Sequence, residues 1–170
     1  MKYWKEYQQN LKRNISLLAD ENKMRFAIEI CHRLLPEYEK FYIKHEWGNY
    51  QFIVECLNYC QENSNLLKIN LQTIEELIEK IDAVIPDTED FGDLEGSFAL
   101  NAGTAIESCL MFLKDRRDKH IINVASYMYD TIDFIVQEEN ENISTEERDS
   151  HPKILEERKW QLEKLRALAN

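Results

Sequence analysis

The side chains best placed to do chemistry gather on one apolar stretch past the middle of the chain. Asn101, Thr104, Glu107 and Ser108 recur at spacings of three and four residues, which on a helix sets them in one narrow strip. The following segment carries Tyr127, Asp130, Thr131 and Asp133. Carboxylates in apolar surroundings must be paired or must open to a cleft. The two strips therefore read as a hydrogen-bond network fixing helix register, as a strip facing water, or as a small polar pocket. In the pocket reading Asn101, Thr104, Glu107, Tyr127, Asp130 and Asp133 take a cation or an amine-bearing ligand.

Other chemistries are poorly supplied. A carboxylate-bridged di-iron bundle needs Glu-x-x-His on two helices and Glu on two more, and only Glu29-Ile30-Cys31-His32 has that form. Cys56 and Cys60 stand one helical turn apart, a spacing compatible with zinc, yet no residues present themselves as the remaining ligands. Four separate thiols in an apolar core and a reducing compartment are the simpler expectation. Gly-x-Ser-x-Gly, a glycine-rich phosphate loop and the dinucleotide-binding glycine pattern are all missing from the sequence. His32, His45, His120 and His151 are scattered, mostly near expected helix ends. No catalytic residue, metal or cofactor is expected, and the balance favours a protein that is not an enzyme.

Charge gives a second kind of site. The chain of 170 residues carries 21 basic and 32 acidic side chains, a formal net charge of -11. Residues 49–100 alone hold 2 basic and 11 acidic groups. Glu75, Glu76, Glu79 and Asp82 lie on one expected helix, and Asp87, Glu89, Asp90, Asp93 and Glu95 in the segment after it. Such a local field suits a solvated surface or a docking face for a basic protein, since charge of one sign raises encounter rates and orients approach. Glu75, Glu76, Glu79, Asp82, Asp87, Glu89 and Asp90 are the candidate interaction residues. Nucleic acid is not an expected partner, because phosphates must be met by clustered Lys and Arg.

The elements that must position these groups are helical almost throughout. Tyr7, Leu11, Ile15 and Leu18 form one stripe, and Met24, Ala27, Ile30, Cys31 and Leu34 another, which Asp20 should cap and Pro36 should end or redirect. A helix from about Tyr50 to Cys60 follows, then one capped by Asn70 that faces Leu71, Ile74, Leu77, Ile78 and Ile81 inward. Asp87 to Ser97 reads as a long irregular segment with few anchors. Ser97 should then cap the most apolar helix, from Phe98 to about Leu113, whose small residues Ala99, Ala102, Gly103 and Ala105 permit close approach of a neighbour. Asp118 should cap the next, carrying Ile121, Val124, Ala125, Met128, Ile132 and Ile135. The last helix opens at Ser150-His151-Pro152 and should face Ile154, Leu155, Leu162, Leu165 and Leu168 to the core.

Four glycines and three prolines are too few for the many turns of a sandwich. The longest apolar run, Cys109 to Leu113, is far shorter than a membrane span, and the first residues, with Lys2, Trp4, Lys5 and Glu6, lack the apolar stretch of a secretory signal. The expectation is a cytoplasmic all-α protein without a membrane partner. It forms one domain over residues 1–170, a bundle of six to eight helices around a central apolar helix near residues 98–113. An apolar face left over on the first or last helix would allow a homodimer.

Several phrases, in order, carry a family resemblance. They are Arg33-Leu34-Leu35-Pro36-Glu37-Tyr38 with Phe41, then Ile81-Asp82-Ala83-Val84-Ile85-Pro86-Asp87 leading to Asp90-Phe91, then Asn101-Ala102-Gly103-Thr104-Ala105, and finally His151-Pro152 ahead of Trp160. Over roughly residues 20 to 168 the chain resembles the YjaG-like bacterial family of unknown function, family 416. It departs from that pattern at Trp47-Gly48-Asn49, where the family pattern has Phe-Gly-Asp, so no role of that acid carries over. The resemblance implies an all-helical bacterial cytoplasmic protein and transfers no reaction and no catalytic residue. Two functions stand open: a non-enzymatic interaction module, immunity-type or regulatory, that uses the acidic helix and loop, and a small-ligand or cation-binding protein or enzyme that uses the strip around Glu107 and Asp130.

Overall fold

A computed structural model describes residues 2–170, and its described residues form eight helices and no strands. They are α1 (Lys2–Ser16), α2 (Asp20–His45), α3 (Tyr50–Glu62), α4 (Leu71–Asp82), α5 (Leu94–Asp115), α6 (Asp118–Glu139), α7 (Thr145–Asp149) and α8 (Pro152–Ala169). No helix among them is long and apolar enough to cross a membrane. α5 is the centre of the bundle. It buries 13 of its 22 residues, so it must be covered on nearly every side, and α2, α6, α4 and α3 pack against it. α8 and α1 close the far side of α6, with α8 also touching α2.

The small residues of α5 do allow close approach, and the occupant is a loop side chain. A Cβ on Gly103 would stand 2.7 Å from Cγ1 of Ile85, which follows α4. Helix starts are satisfied locally. Asn49 accepts a bond from the Phe52 amide, Asn70 from the Thr73 amide, and Ser144 with Glu147 forms a capping box on α7. His151 caps α8 and Pro152 takes its first position.

Several expected boundaries are corrected. Pro36 neither ends nor redirects α2, which runs through it for 26 residues. Pro36 and His32 both face solvent, so the His32 carbonyl that lacks its helical donor can be hydrated, while buried Leu34, Tyr38 and Phe41 hold the helix to the core on both sides of the break. Asp20 and Asp118 are first residues of their helices rather than caps, and both turn to the buried Lys23 amine, at 3.4 and 2.7 Å. Burial opposes the charge on Lys23, yet these two carboxylates outweigh it and raise its pKa. α5 begins four residues before the expected start, because Asp93 caps it through the Gly96 amide and Ser97 lies inside.

The segment before α5 is also better anchored than its composition implies. The Tyr38 hydroxyl donates to the Val84 carbonyl and accepts from the Asn49 amide. Gly48 passes this hydroxyl at φ +91, where a side chain would both strain the backbone and collide with it. Phe91 packs on Phe41, His45 and Trp47 at ring distances of 5.0, 5.3 and 5.0 Å.

On α8 the inward face differs from the expected leucine stripe. Ile154 and Leu165 are buried, but Leu155 is 44% exposed, Leu162 and Leu168 are only half-buried, and Glu157, Arg158 and Gln161 occupy the interior. Leu165→Ala is expected to lower unfolding stability by about 2–5 kcal/mol, whereas Leu155→Ala stays within about 0.5 kcal/mol. Urea midpoints of the two variants check this, and equal losses would contradict the placement of α8.

Candidate functional site

The acidic face forms as the periodicity requires. Ile74 and Ile81 are buried and Leu77 and Ile78 half-buried against the core, so the carboxylates of α4 point away from it. Glu75, Glu76, Glu79, Asp82, Asp87, Glu89 and Asp90 are all exposed. Among the described residues only Glu75 has an ion-pair partner, Lys114 of α5 at 2.9 Å. Asp93 and Glu95 are separate from this face. Lys44 reaches both, at 3.2 and 3.1 Å, and His45 reaches Asp93 at 2.9 Å. The Gly96 amide, with Lys44 behind it, holds the Asp93 carboxyl below its ordinary range. Leu71, expected to face the core, is instead 54% exposed at the start of α4, because it lies at the first position, beyond the packed turns, and Leu67 just before the helix is 81% exposed.

The polar strips of α5 and α6 do not converge on one point. Asn101 donates to the Thr131 hydroxyl at 3.0 Å in the interior, and Thr131 donates to the Tyr127 carbonyl. That pair ties α5 to α6. Thr104 bonds back to Leu100 of its own helix. Glu107 is half-buried; burial first, and Asp82 second, raise its pKa. Burial also raises Asp130, with Asp133 beside it, and raises Tyr127, with Glu107 and Asp130 beside it. Asp133 turns outward along α6 to Arg148 of α7, at 3.2 Å.

There, at the junction of α1, α6 and α7, is a cavity of about 150 Å³ lined by Trp4, Tyr129, Asp133, Thr145, Arg148 and Asp149. Arg158 of α8 lies behind it. Its guanidinium donates to the Asp149 carboxylate and main-chain carbonyl and to the Tyr129 hydroxyl, and stands 5.3–5.7 Å from the Tyr129, Trp4 and Tyr7 rings. Its Nε is buried without a partner. The adjacent Glu157 takes both terminal nitrogens of Arg33, whose guanidinium covers Trp160 at 4.0 Å, and Gln161 links Glu157 to the Tyr7 hydroxyl and the Ala125 carbonyl. Burial raises the Tyr7 pKa far above its ordinary value. Of the strip residues read from sequence, only Asp133 reaches this cavity. Arg148, Asp149, Glu157 and Arg158 escaped notice because charged side chains read as solvent-facing. A signal existed in the register Ile154, Glu157/Arg158, Gln161, Leu165, where polar residues continue a buried apolar stripe.

Metal chemistry has little to stand on. Among the described residues no group of three or more His, Cys, Asp or Glu is placed to hold a metal ion. The four cysteines are buried and free. They are not all separate, since Cys31 and Cys109 bring their sulfurs within 3.5 Å across the α2–α5 contact. Burial first, and neighbouring thiols second, push Cys31 and Cys60 well above the ordinary thiol range, so these groups stay protonated and unreactive.

Fold and interior together define an all-helical bundle with a charged, aromatic core at one end and an acidic face at the other side of α5. The chain belongs to the DUF416 family, a family of unknown function whose model matches residues 10–170. The crystal structure of a DUF416 family protein from Shewanella baltica OS155 is similar, with a TM-score of 0.80 at 21% identity, over 92% of this chain and 83% of that one. At this identity the likeness concerns the fold. No curated protein matches the chain.

The raised carboxyls give a signed pH dependence. The native state holds the protons of Glu107 and Asp130 more tightly than the unfolded chain does. The stability these two groups contribute is therefore greatest below the ordinary carboxylate range and declines as pH rises through that range toward the raised folded values. The double variant Glu107→Gln, Asp130→Asn should flatten this decline and match or exceed the parent at pH ~7. Urea titrations at stepped pH test it, and an unchanged slope with lower stability would contradict the assignment.

Proposed function

We propose that the protein is a non-enzymatic interaction module, immunity-type or regulatory, whose acidic α4 and following loop receive a basic protein partner. The observation that carries the reading is the set of six carboxylates, Glu76, Glu79, Asp82, Asp87, Glu89 and Asp90, exposed without an ion-pair partner among the described residues. The neighbouring acids Asp93 and Glu95, by contrast, are paired with Lys44. Unpaired carboxylates of one sign repel one another, a standing cost that a cationic surface relieves. Leu67 and Leu71 supply an apolar anchor beside the charged rim, the division of labour common in interfaces. An electrostatic field of this kind acts chiefly on the rate of encounter.

The test is immobilised protein exposed to native extract, followed by kinetics with the retained partner. A basic protein should bind in a salt-sensitive manner. Glu76→Gln, Glu79→Gln and Asp82→Asn together should slow association roughly ten-fold at low salt, and Leu71→Ser should speed dissociation. A partner whose binding ignores both sets of changes would overturn the reading.

A further inference from the structure

The cavity between α1, α6 and α7 lies away from the acidic face and has its own chemistry. Its volume of about 150 Å³ matches that of an engineered cavity that admits benzene, so it has room for a small metabolite. Its charges cancel, with Asp133 and Asp149 against Arg148 on the wall and Arg158 behind it. A simple anion entering would meet the two carboxylates, and a simple cation would meet the Arg148 guanidinium. A molecule bearing both signs satisfies each wall.

The groups also retain bonding capacity. Arg148 nears Asp133 through Nε, at 3.2 Å, leaving its two terminal nitrogens available for a planar carboxylate, the geometry in which guanidinium binds best. Asp149 engages Arg158 through Oδ1, which leaves Oδ2 as an acceptor. Trp4 and Tyr129, with ring centroids 4.4 Å apart, offer aromatic surface to an ammonium and its carbon. The walls are held rather than loose. A capping box fixes α7, Arg158 pins Asp149 from within, and Gln137 holds the Asp133 carboxylate at 2.9 Å.

We propose that this cavity binds a small zwitterion, a free α-amino acid, with its carboxylate on Arg148 and its ammonium between Asp133, Asp149 and the Trp4–Tyr129 wall.

The experiment titrates pools of the standard L-amino acids into 15N-labelled full-length protein. It follows the Trp4 indole N–H and the Arg148 and Asp149 amides by NMR. At least one amino acid should shift these signals saturably, while its des-amino acid and its decarboxylated amine do so far more weakly. Arg148→Gln should weaken binding by roughly ten-fold, as loss of a charge-assisted pair requires. Thr145→Val, a change at an exposed position, should leave the spectrum native and test the wall a second time through a smaller loss. Pools that leave the three signals unmoved would overturn the proposal. So would a des-amino acid that binds as tightly as its parent, or affinity unchanged by Arg148→Gln.

Discussion

A single constraint organises the bundle: α5 has almost no polar circumference. A helix that buries Phe98, Ile106, Leu110, Phe112 and Leu113 together with its small residues cannot rest on one neighbour. It must be surrounded, and the rest of the chain is arranged to do so. α2 runs alongside it without interruption through Pro36, with Cys31 against Cys109 before the proline and Tyr38 and Phe41 buried after it. The loop after α4 is drawn in where Gly103 leaves room for Ile85. That docking brings Val84 to the Tyr38 hydroxyl and Phe91 to the rings of Phe41, His45 and Trp47. An irregular segment thereby becomes part of the core.

The same demand leaves α8 and α1 as a second shell over α6, and there the interior is polar. Glu157, Arg158 and Gln161 are buried, each with partners from other helices. Buried ion pairs add little net stability compared with apolar packing, but each is costly to leave half-made. Their effect is to specify which helices meet. Tyr7 brings α1 to Gln161, Arg33 brings α2 to Glu157, and Asp149 brings α7 to Arg158. The cavity beside Trp4 and Arg148 lies where this network reaches the surface.

The protein therefore handles charge in two opposite ways. At the end formed by α1, α6, α7 and α8 both signs are brought together and shielded from water. Along α4 and the loop that follows, one sign predominates, relieved only by Lys80 on the helix and by Lys114 against Glu75. Asp93 and Glu95 mark the boundary between the two regimes, since they are adjacent in sequence to the exposed acids but are taken up by Lys44 and His45. A bundle built this way offers a broad electrostatic surface and a small recessed site that do not compete for residues.

Much of the helical order was determined by sequence alone. Period and caps are local properties, and so the stripe of α1, that of α4 apart from Leu71, the Asn70 cap, the Pro152 start and the centrality of α5 were legible from spacing and residue type. The exposure of Glu76, Glu79 and Asp82 was legible for the same reason, since their face lies opposite Ile74 and Ile81. Which polar residues are buried was decided only in three dimensions. Asp118 abandons a capping role for Lys23, Asn101 finds Thr131 thirty positions away, and Glu157 finds Arg33 across 124. A charge is stable in the interior only when its partner arrives from a distant segment at bonding distance. Spacing along one helix carries no record of that arrival, and so the aromatic, charged cavity exists as a site only in the folded chain.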